Sequence, residues 1–128
     1  MSQKTGSDTA IGLVLSDDLM FSSRITGTAR DLGFAMTIAR TSADLVQLAG
    51  KQAPQCVILD LSNPGLDIAG LVQQLRGTDE AKPFLVAYGS HVDNATLQAG
   101  RAAGCHVVLP RSKFVEALPR DLAAWFGR

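Results

Sequence analysis

Short apolar runs separated by helix-spaced stretches dominate the chain. Ile11 to Leu15 is apolar and stops at Ser16-Asp17-Asp18. From Leu19 to Leu32, the spacing of Phe21, Ile25, Ala29 and Leu32 predicts a helix. Gly27 weakens its middle by roughly 1 kcal/mol, and Gly33 is placed to end it. Phe34 to Ala39 alternates like a strand. Thr41 or Ser42 can cap a second helix bearing Leu45, Leu48 and Ala49, with Gly50 and Pro54 marking its end. The cycle repeats with the strand Cys56 to Leu59, which runs into Asp60 and the turn Ser62-Asn63-Pro64-Gly65. Asp67 opens a helix with Ile68, Leu71, Val72 and Leu75 inward. After Lys82-Pro83 come a strand over Phe84 to Tyr88, a turn at Gly89-Ser90 and a helix over about Val92 to Ala103. Val107 to Leu109 is a brief last strand. Pro110 precedes a helical stretch carrying Phe114, Leu118, Leu122 and Trp125, where Pro119 should kink the helix or start a second one.

Five strands thus alternate with five helices, and most strands are continuous apolar runs, as in a parallel sheet covered on both faces. The expected fold is α/β: a five-stranded, doubly wound parallel sheet of the flavodoxin-like order 2-1-3-4-5. Residues 1–9 read as a polar tail and 10–128 as a single domain.

Composition narrows the function. Twelve basic and twelve acidic residues cancel, giving a formal net charge of +0. This argues against nucleic-acid binding and against a polybasic membrane surface. Cys56 and Cys105 form no CxxC or Cys/His cluster, which suits a reduced, cytoplasmic protein better than a disulfide scaffold or zinc site. The start MSQKTGSDTA has no apolar signal region, and no apolar run approaches the ~20 residues that span a bilayer.

In an open α/β sheet, ligands bind beyond the carboxyl ends of the strands where strand order reverses. Here Asp17 and Asp18 follow the first strand and Asp60 ends the third, so three carboxylates should converge there. Such a cluster suits Mg²⁺, and a carboxylate beside the cation can attack a phosphoryl group. On this reading, mutual repulsion makes Asp60→Asn stabilising in the metal-free domain. His91 and His106 read as polar loop groups. Trp125 and Phe126 are adjacent, so one is expected to cover the sheet while the other faces a partner.

The stretches SDDLMFSSRI and VILDLSNPGLD, with the fivefold strand–helix alternation, resemble the receiver domain of two-component response regulators. The resemblance extends from Ile11 to the last helix. It implies that Asp60 is the phosphoacceptor, that Asp17, Asp18 and Asp60 bind Mg²⁺, and that the Ser62 main-chain carbonyl is a further ligand. It also implies a cis peptide before Pro110, and a histidine kinase or phosphotransfer protein as partner.

The departures are specific. Receivers carry Ser or Thr at the end of the fourth strand and Lys before the proline after the fifth. Here VAYGSH puts Tyr88 or Gly89, with Ser90 behind, at the first position, and Leu109-Pro110 puts leucine at the second. Arg111 and Lys113 lie just downstream. The chain therefore reads as an atypical receiver, and two functions stay open. One is a stand-alone receiver that takes a phosphoryl group on Asp60. The other is a phosphorylation-independent pseudo-receiver that acts as an interaction or dimerisation module. In either case, contact with another signalling protein is expected through the fourth helix, fifth strand and fifth helix. An enzyme is disfavoured, since GxGxxG, GxxxxGK[ST] and DxDxT are all missing.

Overall fold

The computed structural model describes residues 10–77 and 82–127; the expected tail, 1–9, lies outside them. Five strands, β1 (Ile11–Leu15), β2 (Ala35–Ala39), β3 (Cys56–Asp60), β4 (Phe84–Gly89) and β5 (Val107–Pro110), alternate with five helices. These are α1 (Leu19–Asp31), α2 (Ser42–Gln52), α3 (Ile68–Leu75), α4 (Asn94–Ala103) and α5 (Arg111–Trp125). The sheet order is β2-β1-β3-β4-β5 with every pairing parallel, as the sequence predicts.

Successive strand residues face opposite sides of the sheet, so β1, β3 and β4 feed two cores. Val14, Cys56, Ile58, Val86 and Tyr88 pack with Ile25, Ala29, Phe114, Leu118 and Leu122 on the α1 and α5 side. Leu13, Leu15, Val57, Leu59, Leu85 and Ala87 pack with Leu45, Leu71, Val72 and Leu97 on the other. Burial on both faces explains why these strands read as unbroken apolar runs. The edge strand β2 keeps exposed residues alternating with covered ones.

Helix starts follow the expected chemistry. Asp18, Thr41, Asp67 and Asp93 each accept a backbone N–H bond from the first turn of α1, α2, α3 and α4. Several ends differ from the sequence reading. Gly50 does not stop α2, which runs on to Gln52 and closes on Ala53 in the left-handed region at φ 47°. Gly89 completes β4 instead of turning, and α4 begins at Asn94 rather than Val92.

Pro119 lies inside α5, which runs as one helix from Arg111 to Trp125. Phe114, Ala117 and Leu118 before it and Leu122 and Trp125 after it are all buried, so packing holds both halves despite the missing N–H. Trp125 and Phe126 are both buried as well. The helix ends between them, and this frees them from a common helical spacing. Trp125 stacks on Phe114 at 5.9 Å and Phe126 on Phe34 at 4.3 Å. Neither is left to meet a partner.

Two glycines test this packing in opposite directions. A Cβ on Gly12 would stand 2.6 Å from Phe126 Cζ and 2.8 Å from Met36 Cε, while one on Gly27 meets nothing within 4 Å. Urea unfolding of Gly12→Ala should show a loss of about 1–3 kcal/mol from overpacking. Gly27→Ala, in a helix interior, should gain about 0.5–1 kcal/mol. Equal midpoints for the two variants would contradict the packing of Phe126 against β1.

Candidate functional site

Cross-strand register aligns one row of side chains at the carboxyl ends of the central strands. Leu15 pairs with Leu59, which puts Ser16 beside Asp60 one step further on. Asp60 pairs with Tyr88, and Tyr88 with Leu109. Ser16, Asp60, Tyr88 and Leu109 therefore share the α1 and α5 side of the sheet, by the two-residue alternation of strands.

Asp60 is only 3% exposed, and neutral donors surround its carboxylate. Ser16 Oγ donates to Oδ2 at 2.9 Å. Ser62 donates to Oδ1 twice, from its backbone N at 3.0 Å and from Oγ at 2.7 Å. Asn63, also buried, ties the neighbouring loops: its Oδ1 accepts from the Asp17 backbone N at 2.8 Å, and its Nδ2 donates to the Arg40 carbonyl at 3.1 Å. Ser16 and Asn63 were missed as site residues by sequence reasoning. Ser16 could have been found by setting the ends of β1 and β3 in register.

The expected meeting of three carboxylates does not occur. Among the described residues no group of three His, Cys, Asp or Glu side chains stands close enough to hold a cation. The reason is register. With Ser16 beside Asp60, Asp17 falls one residue beyond the row and is exposed. Asp18 is committed elsewhere. Its Oδ1 accepts from Phe21 N at 3.1 Å as the α1 cap, and its Oδ2 lies 3.8 Å from Arg111 Nη1. Both oxygens of Asp60 already accept from serine donors, so the donors present do not fit the three-carboxylate Mg²⁺ centre that the resemblance implies. The repulsion argument for Asp60→Asn lapses with it.

The residues expected to read a phosphoryl group lie along the row or beside it. Tyr88, fully buried, stands beside Asp60 in the row, while Gly89 has Leu61 and Leu97 as its neighbours. Ser90 is exposed, and Leu109 occupies the last place in the row. The peptide bond before Pro110 is trans, against the cis bond implied by the resemblance. Pro110 instead serves as the boundary residue of α5.

Tyr88 stacks on Phe114 at 4.6 Å and contacts Phe21 at 5.1 Å. The Arg111 guanidinium lies over both rings, 4.6 Å from the Phe21 centroid and 5.6 Å from that of Tyr88. Burial, reinforced by the Asp60 charge, holds the Tyr88 phenol well above its ordinary range. Its buried hydroxyl makes no well-aligned hydrogen bond, although Ser16 and Asp60 lie beside it in the row.

The other titratable residues that stood out are structural. His106 Nδ1 accepts from Leu85 N at 2.9 Å, and its ring stacks on Phe84 at 4.5 Å. Cys56 is fully buried, and burial pushes its thiol up to about 12. Burial pushes Cys105 up to about 11, partly offset by Arg76.

Sequence and structure comparisons place this geometry among known proteins. A response regulator receiver protein of Anaeromyxobacter sp. is 30% identical over 110 residues, which are 86% of this chain and 44% of the relative. The response regulator MprA of Mycobacterium tuberculosis is 26% identical over 116 residues, 91% of this chain and 50% of that protein. The chain thus spans about half the length of these relatives. No protein-family model matches it.

Among solved structures, the receiver domain of the Pseudomonas aeruginosa sensor histidine kinase PA1611, with magnesium coordinated in its active-site cleft, superposes with a TM-score of 0.80. It is 20% identical, and the match covers 94% of this chain and 99% of that one. The receiver domain of Saccharomyces cerevisiae Ssk1, solved with the histidine phosphotransfer protein Ypd1, gives 0.78 at 15% identity, over 93% and 90% of the chains. The resemblance to response regulator receiver domains thus holds in sequence and in fold. The architecture is that of CheY-like receivers.

Two substitutions probe the row. Asp60→Ala strands the Ser16 hydroxyl and both Ser62 donors, and should cost about 1–3 kcal/mol of stability. Tyr88→Phe removes a buried hydroxyl that makes no well-aligned hydrogen bond, and should leave stability unchanged or raise it by about 1 kcal/mol. Urea denaturation at neutral pH measures both. A large loss in Tyr88→Phe would mean that the hydroxyl is bonded within the row.

Proposed function

We propose that the chain is a receiver-like signalling module that works by protein contact and does not depend on phosphorylation of Asp60. The reading is carried by the hydrogen-bonding state of Asp60, a buried carboxylate whose two oxygens already accept three bonds from Ser16 and Ser62. An attacking carboxylate oxygen needs a lone pair open to the phosphoryl group and a cation to offset the incoming charge. Leu109 supplies no charge in the row, and Tyr88 fills the space beside Asp60 with an aromatic ring.

Output then belongs to a surface. The face formed by α4, β5 and α5 is the proposed contact for another signalling protein or for a second copy of the chain. The charge balance of the sequence and the lack of any described helix long and apolar enough to cross a membrane accord with that role. Non-enzymatic action and a cytoplasmic location belong to the same reading.

A second reading is supported by the position of Asp60 at the carboxyl end of β3, where strand order reverses. There Asp60 would accept a phosphoryl group from a histidine kinase or phosphotransfer protein, and Asp17, Asp18 and the Ser62 carbonyl are the residues that would hold Mg²⁺ to offset the incoming charge.

Intact mass measurement after incubation with acetyl phosphate and Mg²⁺ separates the two. The expected result is no phosphate-sized gain in the native protein. A gain that disappears in Asp60→Asn would overturn the first reading and establish the second.

A further inference from the structure

The two edges of the sheet differ in how they are protected. β5 ends in Pro110, which has no N–H to offer a further strand. β2, from Ala35 to Ala39, holds neither a charged residue nor a proline, and these are common guards of a free edge.

The main-chain bonds show which groups of β2 are open. Ala35 N donates to the Ala10 carbonyl, and the Ala39 carbonyl accepts from Ser16 N. With the parallel register of β1 and β2, Ala35, Thr37 and Ala39 therefore turn their main chain toward β1. Met36 and Ile38 turn theirs outward. On either side the edge is partly closed: Phe34 N donates to the Ala29 carbonyl in α1, and the Arg40 carbonyl accepts from Asn63 Nδ2. The open stretch thus centres on Thr37.

That stretch is complementary to itself. Antiparallel pairing about a two-fold axis at Thr37 sets Met36 opposite Ile38 of a second copy, as pairs that exchange both main-chain bonds. Every outward N–H and C=O of Met36 and Ile38 then has a partner, and the two Thr37 side chains meet at the axis. Met36 and Ile38 are half-buried on the α1 side of the sheet. A groove of about 640 Å³ runs beside them, lined also by Thr26 and Arg30 of α1. An axis normal to the sheet keeps this face common to both copies, so the Met36–Ile38 pairs lie along the groove. Charge selects the same direction. Asp31 before the strand and Arg40 after it are exposed and form no ion pair among the described residues. Antiparallel pairing brings the Asp31 end of each copy to the Arg40 end of the other, whereas parallel pairing sets like ends together.

We propose that two copies of the chain associate through antiparallel pairing of their β2 strands, which continues the sheet across a two-fold axis at Thr37. The face formed by α4, β5 and α5 lies at the opposite edge and stays open in both copies.

Analytical ultracentrifugation of the full chain from micromolar to millimolar concentration tests this, together with amide hydrogen exchange read by NMR. The expected result is a monomer–dimer equilibrium in which protection of the Met36 and Ile38 amides rises with concentration. Those of Ala35, Thr37 and Ala39, bonded to β1, should be protected throughout. Thr37→Lys, at an exposed position, sets two like charges at the axis and should dimerise at least about ten-fold more weakly. Thr37→Val keeps a β-branched pair there and should dimerise as the native chain does. A chain that stays monomeric at millimolar concentration overturns the proposal. So does a dimer that persists unchanged in Thr37→Lys, or one in which the Met36 and Ile38 amides exchange as fast as in the monomer, since either places the contact on another surface.

Discussion

Burying a carboxylate at the end of the central strand is the constraint around which the rest of this site is arranged. An ionised group that is 3% exposed must find hydrogen-bond donors or a cation. Here the donors are two serine hydroxyls and a backbone N–H. Three requirements follow. Ser16 must stand in register with Asp60, which fixes the pairing of β1 with β3. The loop after β3 must fold back over its own strand end, so that both Ser62 donors reach Oδ1. Asn63 must then bridge the Asp17 and Arg40 backbones, and so secures the ends of β1 and β2 to that loop.

Register also decides what the neighbouring positions can do. A side chain one residue along a strand points to the opposite face, so the acidic pair cannot move into the row without sliding β1. Sliding β1 would drag Leu13 and Leu15 out of one core and Val14 out of the other. Those three side chains are fully buried, and each is worth about 1.5–3 kcal/mol of burial. Core packing thus holds Ser16 in the row, and the carboxylates of Asp17 and Asp18 remain at the surface.

The fold was legible in the sequence because its signal is redundant. Each buried strand is an apolar run, and Asp18, Thr41 and Asp67 mark helix starts with side chains that accept first-turn N–H bonds. Boundaries at Gly89 and Pro119 differ because local propensity yields to packing there, whereas Gly50, exposed with open space around it, falls within the last turn of α2. Gly89 has Leu61 and Leu97 around it, and both halves of α5 are held against the sheet. The site was half legible. Asp60 stood out from its place at a strand end, while Tyr88 or Gly89 and Leu109 stood out only through the resemblance. Ser16 did not, because a serine before two aspartates attracts no notice until β1 is set beside β3.

The aromatic side of the row packs without the Ser or Thr and the Lys that the resemblance implies there. A lysine at the half-buried position 109 would need an anion beside it, and without one would lose part of its hydration uncompensated. Leucine has no such hydration to lose, and joins the core formed with Phe114 and Tyr88. Tyr88 then extends that apolar surface up to Asp60, and Arg111 closes it by stacking over Phe21 and Tyr88. A ligand shifts a conformational equilibrium only through its different affinity for the two states. Leu109 offers a phosphoryl group no charge or hydrogen bond by which to favour one state over another. Arg111 holds its positive charge on the aromatic side of the row, outside the row itself.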